Sequence, residues 1–175
     1  MSRTLIQGAT VLSLDAADRA EVLDVLIEED RIAAVGTNLS QRSLDAVVEA
    51  RGSILMPGLV QGHIHLCQTL FRAQADDLEL LPWLQQRIWP MEGALSAEEL
   101  RSSARLGIAE LLLGGTTAIL DMGTVRHSDV LFRAAARAGI RYTGGNVLMD
   151  DPDTTPVNLR QRPLEALAET ERLRS

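Results

Sequence analysis

The feature that most constrains the fold is a repeated alternation of strand-like and helix-like segments after residue 57. Short apolar runs bounded by glycine or polar residues predict three buried strands, and longer segments of helical periodicity predict three helices. The predicted strands lie within residues 56–66, 116–121 and 140–149, and the predicted helices within residues 96–113, 128–138 and 163–173. This order is typical of a parallel α/β architecture, in which functional groups gather at the carboxyl ends of the strands.

The first of these helices has the clearest boundaries. Ser96 and Glu99 form a capping-box pattern that opens a helix, and Gly114 followed by Gly115 predicts its end near Leu113. Its predicted apolar side consists of Leu100, Ala104, Ile108, Leu111 and Leu112. Residues 68–93, which precede it, contain both tryptophans and many leucines, and a connection of that length is usually functional in a compact fold.

Residues 1–56 have a different pattern, with short strand-like runs and no helical periodicity. A polar turn at Glu28–Arg31 separates two of these runs, which predicts a hairpin. A cation site is the functional alternative for this acidic turn, but a solvated turn is favoured. We therefore predict two domains, residues 1–56 as part of a small β-sandwich and residues 57–175 as a (β/α) unit.

His63 and His65 lie where the first buried strand ends. Alternate residues of a strand share a face, so the two imidazoles point the same way and can hold one metal ion. The structural alternative is one core histidine and one loop histidine. The Pro57–Gly58 turn and the apolar run before the pair favour the metal site.

The composition excludes several classes of function. The net charge is −7, which argues against nucleic acid or an anionic membrane as a partner. All 17 basic residues are arginine, so neither a Schiff base nor a carbamylated lysine is available. Cys67 is the only cysteine, which excludes an internal disulfide and fits a reducing compartment. No signal peptide or run of roughly 20 apolar residues is present, so we expect a cytoplasmic protein.

Ordered motifs along the chain resemble the amidohydrolase superfamily. The strand motif of residues 57–65 (PGLVQGHIH) is followed by HLCQTLFR at 65–72, DDLELLPWL at 76–84 and IWPME at 88–92. GGTTAILDM at 114–122 and GNVLMD at 145–150 continue the series. The series is similar to the branch that contains 5′-deoxyadenosine, methylthioadenosine and S-adenosylhomocysteine deaminases and the s-triazine chlorohydrolases, and it is most similar to the 5′-deoxyadenosine deaminases.

The resemblance implies an α/β fold, namely the first three β/α units of a TIM-like amidohydrolase barrel preceded by part of a small β-sandwich. It implies one divalent metal, zinc or alternatively iron, with His63 and His65 as its first two ligands. The metal lowers the pKa of a bound water, and the resulting hydroxide attacks the ring carbon that carries the amine. The remaining ligands and proton-shuttle residues come from later strands, so we expect the 175 residues alone to be a fragment without catalytic residues and without activity. We expect the full-length enzyme to be a homo-oligomer.

Three residues are candidates for substrate binding. By resemblance, Glu92 accepts hydrogen bonds from ribose hydroxyls, with an exposed helix-end acid as the structural alternative. Trp83 stacks on a purine or packs in the core, and Gln68 contacts the ligand or has a local structural role. The small-molecule substrate is then an adenosine-like nucleoside.

Four other residues receive lesser assignments. We expect Cys67 not to bind metal, His127 to lie on the surface and Asp121 to be a hydrogen-bonded structural acid. Asn146 stands where relatives often have Lys or Arg, which favours a substrate without an acidic tail. Two alternative functions remain open: a triazine or other heteroaromatic hydrolase, and a non-catalytic truncated product.

Overall fold

The computed structural model describes residues 2–39 and 43–174, and the chain divides into two compact units, Met1–Pro57 and Gly58–Ser175. Strands dominate the first unit, whereas the second combines a parallel sheet with helices. The mixed α/β class expected from the sequence is therefore confirmed. Among the described helices, none has both the length and the apolar character that crossing a bilayer requires.

The first unit is a five-stranded sheet centred on its first strand. Its strands are β1 (Arg3–Leu12), β2 (Ala20–Glu28), β3 (Arg31–Gly36), β4 (Ala46–Glu49) and β5 (Ile54–Leu55). β2 pairs antiparallel with β1 and β3, whereas β4 and β5 run parallel to β1 along its other edge. The predicted hairpin is observed, because Glu28 pairs with Arg31 and Glu29 takes the left-handed conformation that a two-residue turn needs.

The second unit contains a three-stranded parallel sheet, β6 (Leu59–Ile64), β7 (Thr116–Asp121) and β8 (Arg141–Thr143), in that order. Helix α3 (Ala97–Leu113) connects β6 to β7, and α4 (Ser128–Ala138) connects β7 to β8. The helix α5 (Pro163–Arg174) follows β8. The predicted capping box is present, since the Ser96 side chain accepts the Glu99 N–H and the Glu99 carboxylate accepts the Ser96 N–H.

The core of this unit lies between the sheet and the two connecting helices. Leu100, Ala104 and Ile108 of α3 are buried there, as predicted. Leu112 was predicted on the same side, but this prediction was wrong, because its side chain is 42% exposed. Leu111, which was also predicted on this side, is partly buried against the core and lies three residues after Ile108 on the same helix face.

One further sequence prediction needs correction. The third strand was expected to reach residue 149, but β8 ends at Thr143, and the two glycines that follow interrupt the ladder before one isolated bridge joins Asn146 to Thr124. The long connection formed by residues 68–93 is largely helical. A 3₁₀ helix spans Leu66–Phe71, and α1 (Leu80–Trp83), a π-helical segment (Leu84–Ile88) and α2 (Trp89–Ala94) follow.

Candidate metal and substrate site

His63 and His65 converge at the carboxyl end of β6. Their Nε2 atoms are 3.2 Å apart, and their rings meet edge to face with centroids separated by 4.9 Å. β6 ends at Ile64, so His65 lies one residue beyond the last paired position. Ile64 points into the core, which directs the residues on either side of it to the opposite face.

This separation suits two nitrogen ligands of one tetrahedral ion. With zinc–nitrogen distances near 2.0–2.1 Å, tetrahedral geometry places two nitrogens about 3.3 Å apart, close to the observed 3.2 Å. Within residues 2–39 and 43–174, however, no three His, Cys, Asp or Glu side chains are grouped so that they could hold a metal together. The described residues therefore supply a pair of ligands, whereas catalytic zinc sites use three protein ligands and a water.

Electrostatics favour the neutral form of His65, which is the form that binds metals. Its half-buried position lowers its pKa, and the neighbouring His63 lowers it further, while Asp121 acts in the opposite direction. Two positively charged imidazolium rings this close would repel each other. His65 is thus held in the neutral form that can bind a cation.

Asp121 fixes the backbone immediately after His65. It is buried at the end of β7, its Oδ1 accepts the Leu66 N–H at 3.0 Å, and its Oδ2 accepts the Tyr142 hydroxyl at 2.9 Å. Burial raises the pKa of Asp121, and these hydrogen bonds offset part of that rise. The hydrogen-bonded structural role expected for Asp121 is observed, and it also orients the turn that carries His65.

Glu92 is held inward from α2 and not exposed at a helix end. Its Oε1 accepts the Thr124 hydroxyl at 2.9 Å, and its carboxylate also interacts with the Val125 N–H and the Gln68 side chain. Burial raises the pKa of Glu92, and the three donors lower it. A carboxylate can accept about four hydrogen bonds, so Glu92 retains capacity for a further donor beside these three.

The candidate substrate residues fall into two groups. His65, Gln68 and Trp83 line one cavity of about 590 Å³, together with Thr69 and Glu110. Glu92 does not line this cavity, although Gln68 connects the two groups by its hydrogen bond to Glu92. The structure therefore brings Gln68 close to both His65 and Glu92.

Cys67, Gly123 and His127 have the following surroundings. Cys67 is buried, its thiol donates to the Gly123 carbonyl at 3.3 Å, and burial raises its pKa, which keeps the thiol protonated. Gly123 has a φ of +84°, and a Cβ there would lie 2.1 Å from the Gly145 carbonyl oxygen, so only glycine fits this approach. His127 is exposed, as expected.

Sequence reasoning missed two contributors to this site. Thr124 follows β7 by three residues and binds Glu92, and Tyr142 lies in β8 and binds Asp121. The signal for Tyr142 was its place in the neighbouring parallel strand, where its partner in the ladder is Ile119, two residues before Asp121. Thr124 had no such signal, because α2 and the loop after β7 meet only in the folded chain.

Comparison with known proteins identifies the class to which this fold and site belong. The model of the amidohydrolase family matches residues 54–175, which is more than half of the chain. The chain belongs to the amidohydrolase family. The resemblance inferred from its motifs is thereby confirmed.

Individual relatives carry more specific names. The chain is 41% identical over 128 residues to the 5′-deoxyadenosine deaminase of Methanothrix thermoacetophila, covering 73% of this chain and 30% of that protein. It is 40% identical over 148 residues to the 5-methylthioadenosine/S-adenosylhomocysteine deaminase of Thermococcus kodakarensis, covering 82% and 34%. Atrazine chlorohydrolase from Arthrobacter aurescens TC1, solved with zinc, superposes with a TM-score of 0.81 at 30% identity, covering 94% and 40%. The chain spans about a third of the length of the curated relatives it matches.

Proposed function

We propose that these residues form the N-terminal portion of a metal-dependent aminohydrolase that deaminates an adenosine-like nucleoside. In this reaction water replaces the exocyclic amine of the purine, and ammonia leaves. The observation that carries the proposal is the 3.2 Å approach of the His63 and His65 Nε2 atoms at the end of a parallel strand. Several relatives named as adenosine-type deaminases, at about 40% identity, support the substrate class.

The proposed cofactor is one divalent ion, zinc in preference to iron, held in part by His63 and His65. When bound, such an ion acts as a Lewis acid and lowers the pKa of a water molecule. Asp121 and Tyr142 keep the backbone at Leu66 in place, which supports the position of the His65 imidazole beside that of His63, where the two would hold such an ion. Zinc in the atrazine chlorohydrolase structure supports this choice of metal.

For substrate binding, we assign Glu92 to the ribose hydroxyls and Trp83 and Gln68 to the purine. Gln68 and Thr124 hold the Glu92 carboxylate in one orientation, which reduces the entropy lost when a sugar binds. The same proposal takes residues 57–175 as the first three units of a TIM-like barrel, residues 1–56 as part of an accessory sandwich, and the full-length enzyme as a cytoplasmic homo-oligomer.

The first test is metal binding by the chain itself. Because two histidines hold zinc weakly, we expect calorimetric titration to give a measurable but weak affinity and no ammonia release from adenosine analogues. His63→Ala and His65→Ala should each reduce zinc binding at least about tenfold, since a single imidazole remains. His127→Ala is the matched control, because His127 is exposed and outside the pair.

Two results would count against this assignment. If His127→Ala lowered zinc binding as much as His65→Ala, the ion would not be held by the pair. If the 175-residue chain alone released ammonia with ordinary turnover, no ligands from further strands would be needed and the proposed incomplete site would be wrong.

The main competing function is hydrolysis of a triazine or another heteroaromatic ring, which the structural similarity to atrazine chlorohydrolase favours. Glu92→Gln in a longer protein that carries these residues with the later strands distinguishes the two. If Glu92 binds ribose, kcat/KM for nucleosides should fall about tenfold to a hundredfold, while values for bases without ribose stay nearly unchanged. An equal loss for both substrate types would contradict the ribose role.

A further inference from the structure

A groove outside the proposed site runs between α3 and α4. It encloses about 700 Å³, and its walls carry two arginines from each helix, Arg101 and Arg105 from α3 and Arg133 and Arg137 from α4. Each pair is spaced one helical turn apart, so each helix presents two guanidinium groups on the same side. The rest of the lining is apolar: Ile108, Ala109, Leu112, Val130, Ala134 and Ala138.

The positive charge of this groove is largely uncompensated. Arg133 pairs with Asp129, but within the described part of the chain Arg101, Arg105 and Arg137 form no ion pair. No acidic residue lines the groove, although the chain as a whole carries a net charge of −7. Guanidinium groups around an apolar floor fit a peptide segment that combines carboxylates with leucines.

The same chain contains a segment of that composition, residues 76–81, with the sequence DDLELL. Asp76, Asp77 and Glu79 are exposed and form no ion pair with any described residue. Leu80 and Leu81 are 66% and 61% exposed. The segment therefore has unpaired acids and uncovered leucines, whereas the groove has unpaired bases and a partly uncovered apolar floor.

Within one molecule the two surfaces lie on different sides of α3. Asp76 lines the 590 Å³ cavity beside Gly107, Glu110 and Leu111, whereas the groove is lined by the other face of the same helix. Residues 76–81 therefore cannot reach the groove of the same molecule unless they move from their observed position. We propose that residues 76–81 of one copy dock into the groove between α3 and α4 of a second copy.

The contact is heterologous, because different surfaces of the two copies meet. It also leaves one groove and one segment free in every pair, so association continues until a ring closes or an open chain forms. Because opposite charges make the contact, raising the salt concentration weakens it. This inference does not depend on the proposed enzymatic function.

Sedimentation velocity of the 175-residue chain tests the contact directly. We expect the wild type to associate as its concentration rises at low salt and to dissociate at high salt. A groove variant, Arg105→Glu with Arg137→Glu, and a segment variant, Asp77→Arg with Glu79→Arg, should each raise the dissociation constant roughly tenfold or more. Arg126→Glu with Arg174→Glu changes the net charge as the groove variant does but lies elsewhere, so it should associate like the wild type.

Mixing the two variants gives the decisive result. The intact segment of the groove variant meets the intact groove of the segment variant, and the two charge-reversed surfaces are also complementary, so the mixture should associate again although each variant alone does not. A chain that carries all four substitutions should associate again through the reversed charges. A wild type that stays monomeric, a groove variant that associates like the charge-matched control, or a mixture that stays monomeric would overturn the proposal. Circular dichroism verifies that every variant is folded.

Discussion

The Glu92 carboxylate accepts several hydrogen bonds, yet burying its charge lowers the stability of the fold. Three donors surround its carboxylate, yet burial has the larger effect and the pKa of Glu92 is raised. Such a carboxyl is retained at a cost in stability, which is common where a group serves a ligand and not the fold. This balance agrees with the substrate role proposed for Glu92.

The loss of stability caused by burying Glu92 depends on pH. Below the ordinary glutamate pKa of 4.5, Glu92 is protonated in both the folded and the unfolded chain. As the pH rises through the window up to its raised folded pKa, the unfolded chain loses its proton first, so the free energy of unfolding falls. Glu92→Gln removes this contribution, and we expect the variant to gain stability relative to the wild type across that window and to hold the gain above it.

Urea unfolding at a series of pH values measures this difference. Glu98→Gln is the matched control, because it makes the same substitution at an exposed carboxylate on α3. A difference between Glu92→Gln and the wild type that stays constant with pH, or that decreases as the pH rises, would show that burial does not dominate at Glu92.

For individual residues, the sequence predicts those features that depend on the spacing of neighbouring positions. His63 and His65 were found because the alternation of a strand is visible in the sequence, and the exposed position of His127 followed from its loop. The hydrogen bonds from Thr124 to Glu92 and from Tyr142 to Asp121 join residues 32 and 21 positions apart. Partners this distant depend on how helices pack over the sheet, which periodicity does not specify.

Among the elements, α3 connects the candidate site to the core. Its buried Ser103 hydroxyl lies 2.8 Å from the Leu66 carbonyl oxygen, within the 3₁₀ helix that follows His65. One turn further along, Gly107 allows that 3₁₀ helix to approach closely, because a Cβ there would lie 2.6 Å from the Thr69 Oγ1. The glycine thus sets the distance between α3 and the segment that carries the histidine turn.

Gly107→Ala tests this close approach. Alanine is about 1 kcal/mol better than glycine inside a helix, but overpacking a tight contact costs about 1–3 kcal/mol. We expect a net loss of up to about 2 kcal/mol in the free energy of unfolding in urea, because Thr69 is β-branched and cannot easily rotate away. In the Thr69→Ala background the same change should be less harmful or favourable, and equal effects in both backgrounds would rule out the contact.

Element boundaries were predictable where the signal is local. The capping box and the paired glycines defined both ends of α3, since they act within one turn of each terminus. The third strand was overestimated, because its apolar run continues past Gly144 and Gly145 although β8 ends at Thr143. Residues 68–93 lack a clear hydrophobic period. The helices in this segment form where the side chain of Ile88 is buried.

At the scale of the whole molecule, each of the two units has its own β-sheet. The buried cluster of the second unit runs from Leu66 to Ile140 and contains no residue of the first. The sheet of the first unit pairs only strands between residues 3 and 55, and the other sheet pairs strands between residues 59 and 143. The sequence predicts two domains, because the first 56 residues lack helical periodicity.

We predict that residues 58–175 fold without residues 1–57. Both tryptophans, Trp83 and Trp89, lie in the second unit, so tryptophan fluorescence reports on that unit in the whole chain and in the shortened chain alike. Because the buried cluster is retained in full, we expect similar urea midpoints for the two proteins and helical circular dichroism from the shorter one. Leu131→Ala, at a fully buried position, should lower the free energy of unfolding of both by about 2–5 kcal/mol. An unfolded shorter chain, or a loss at Leu131 in only one of the two, would show that the second unit requires residues 1–57 to fold.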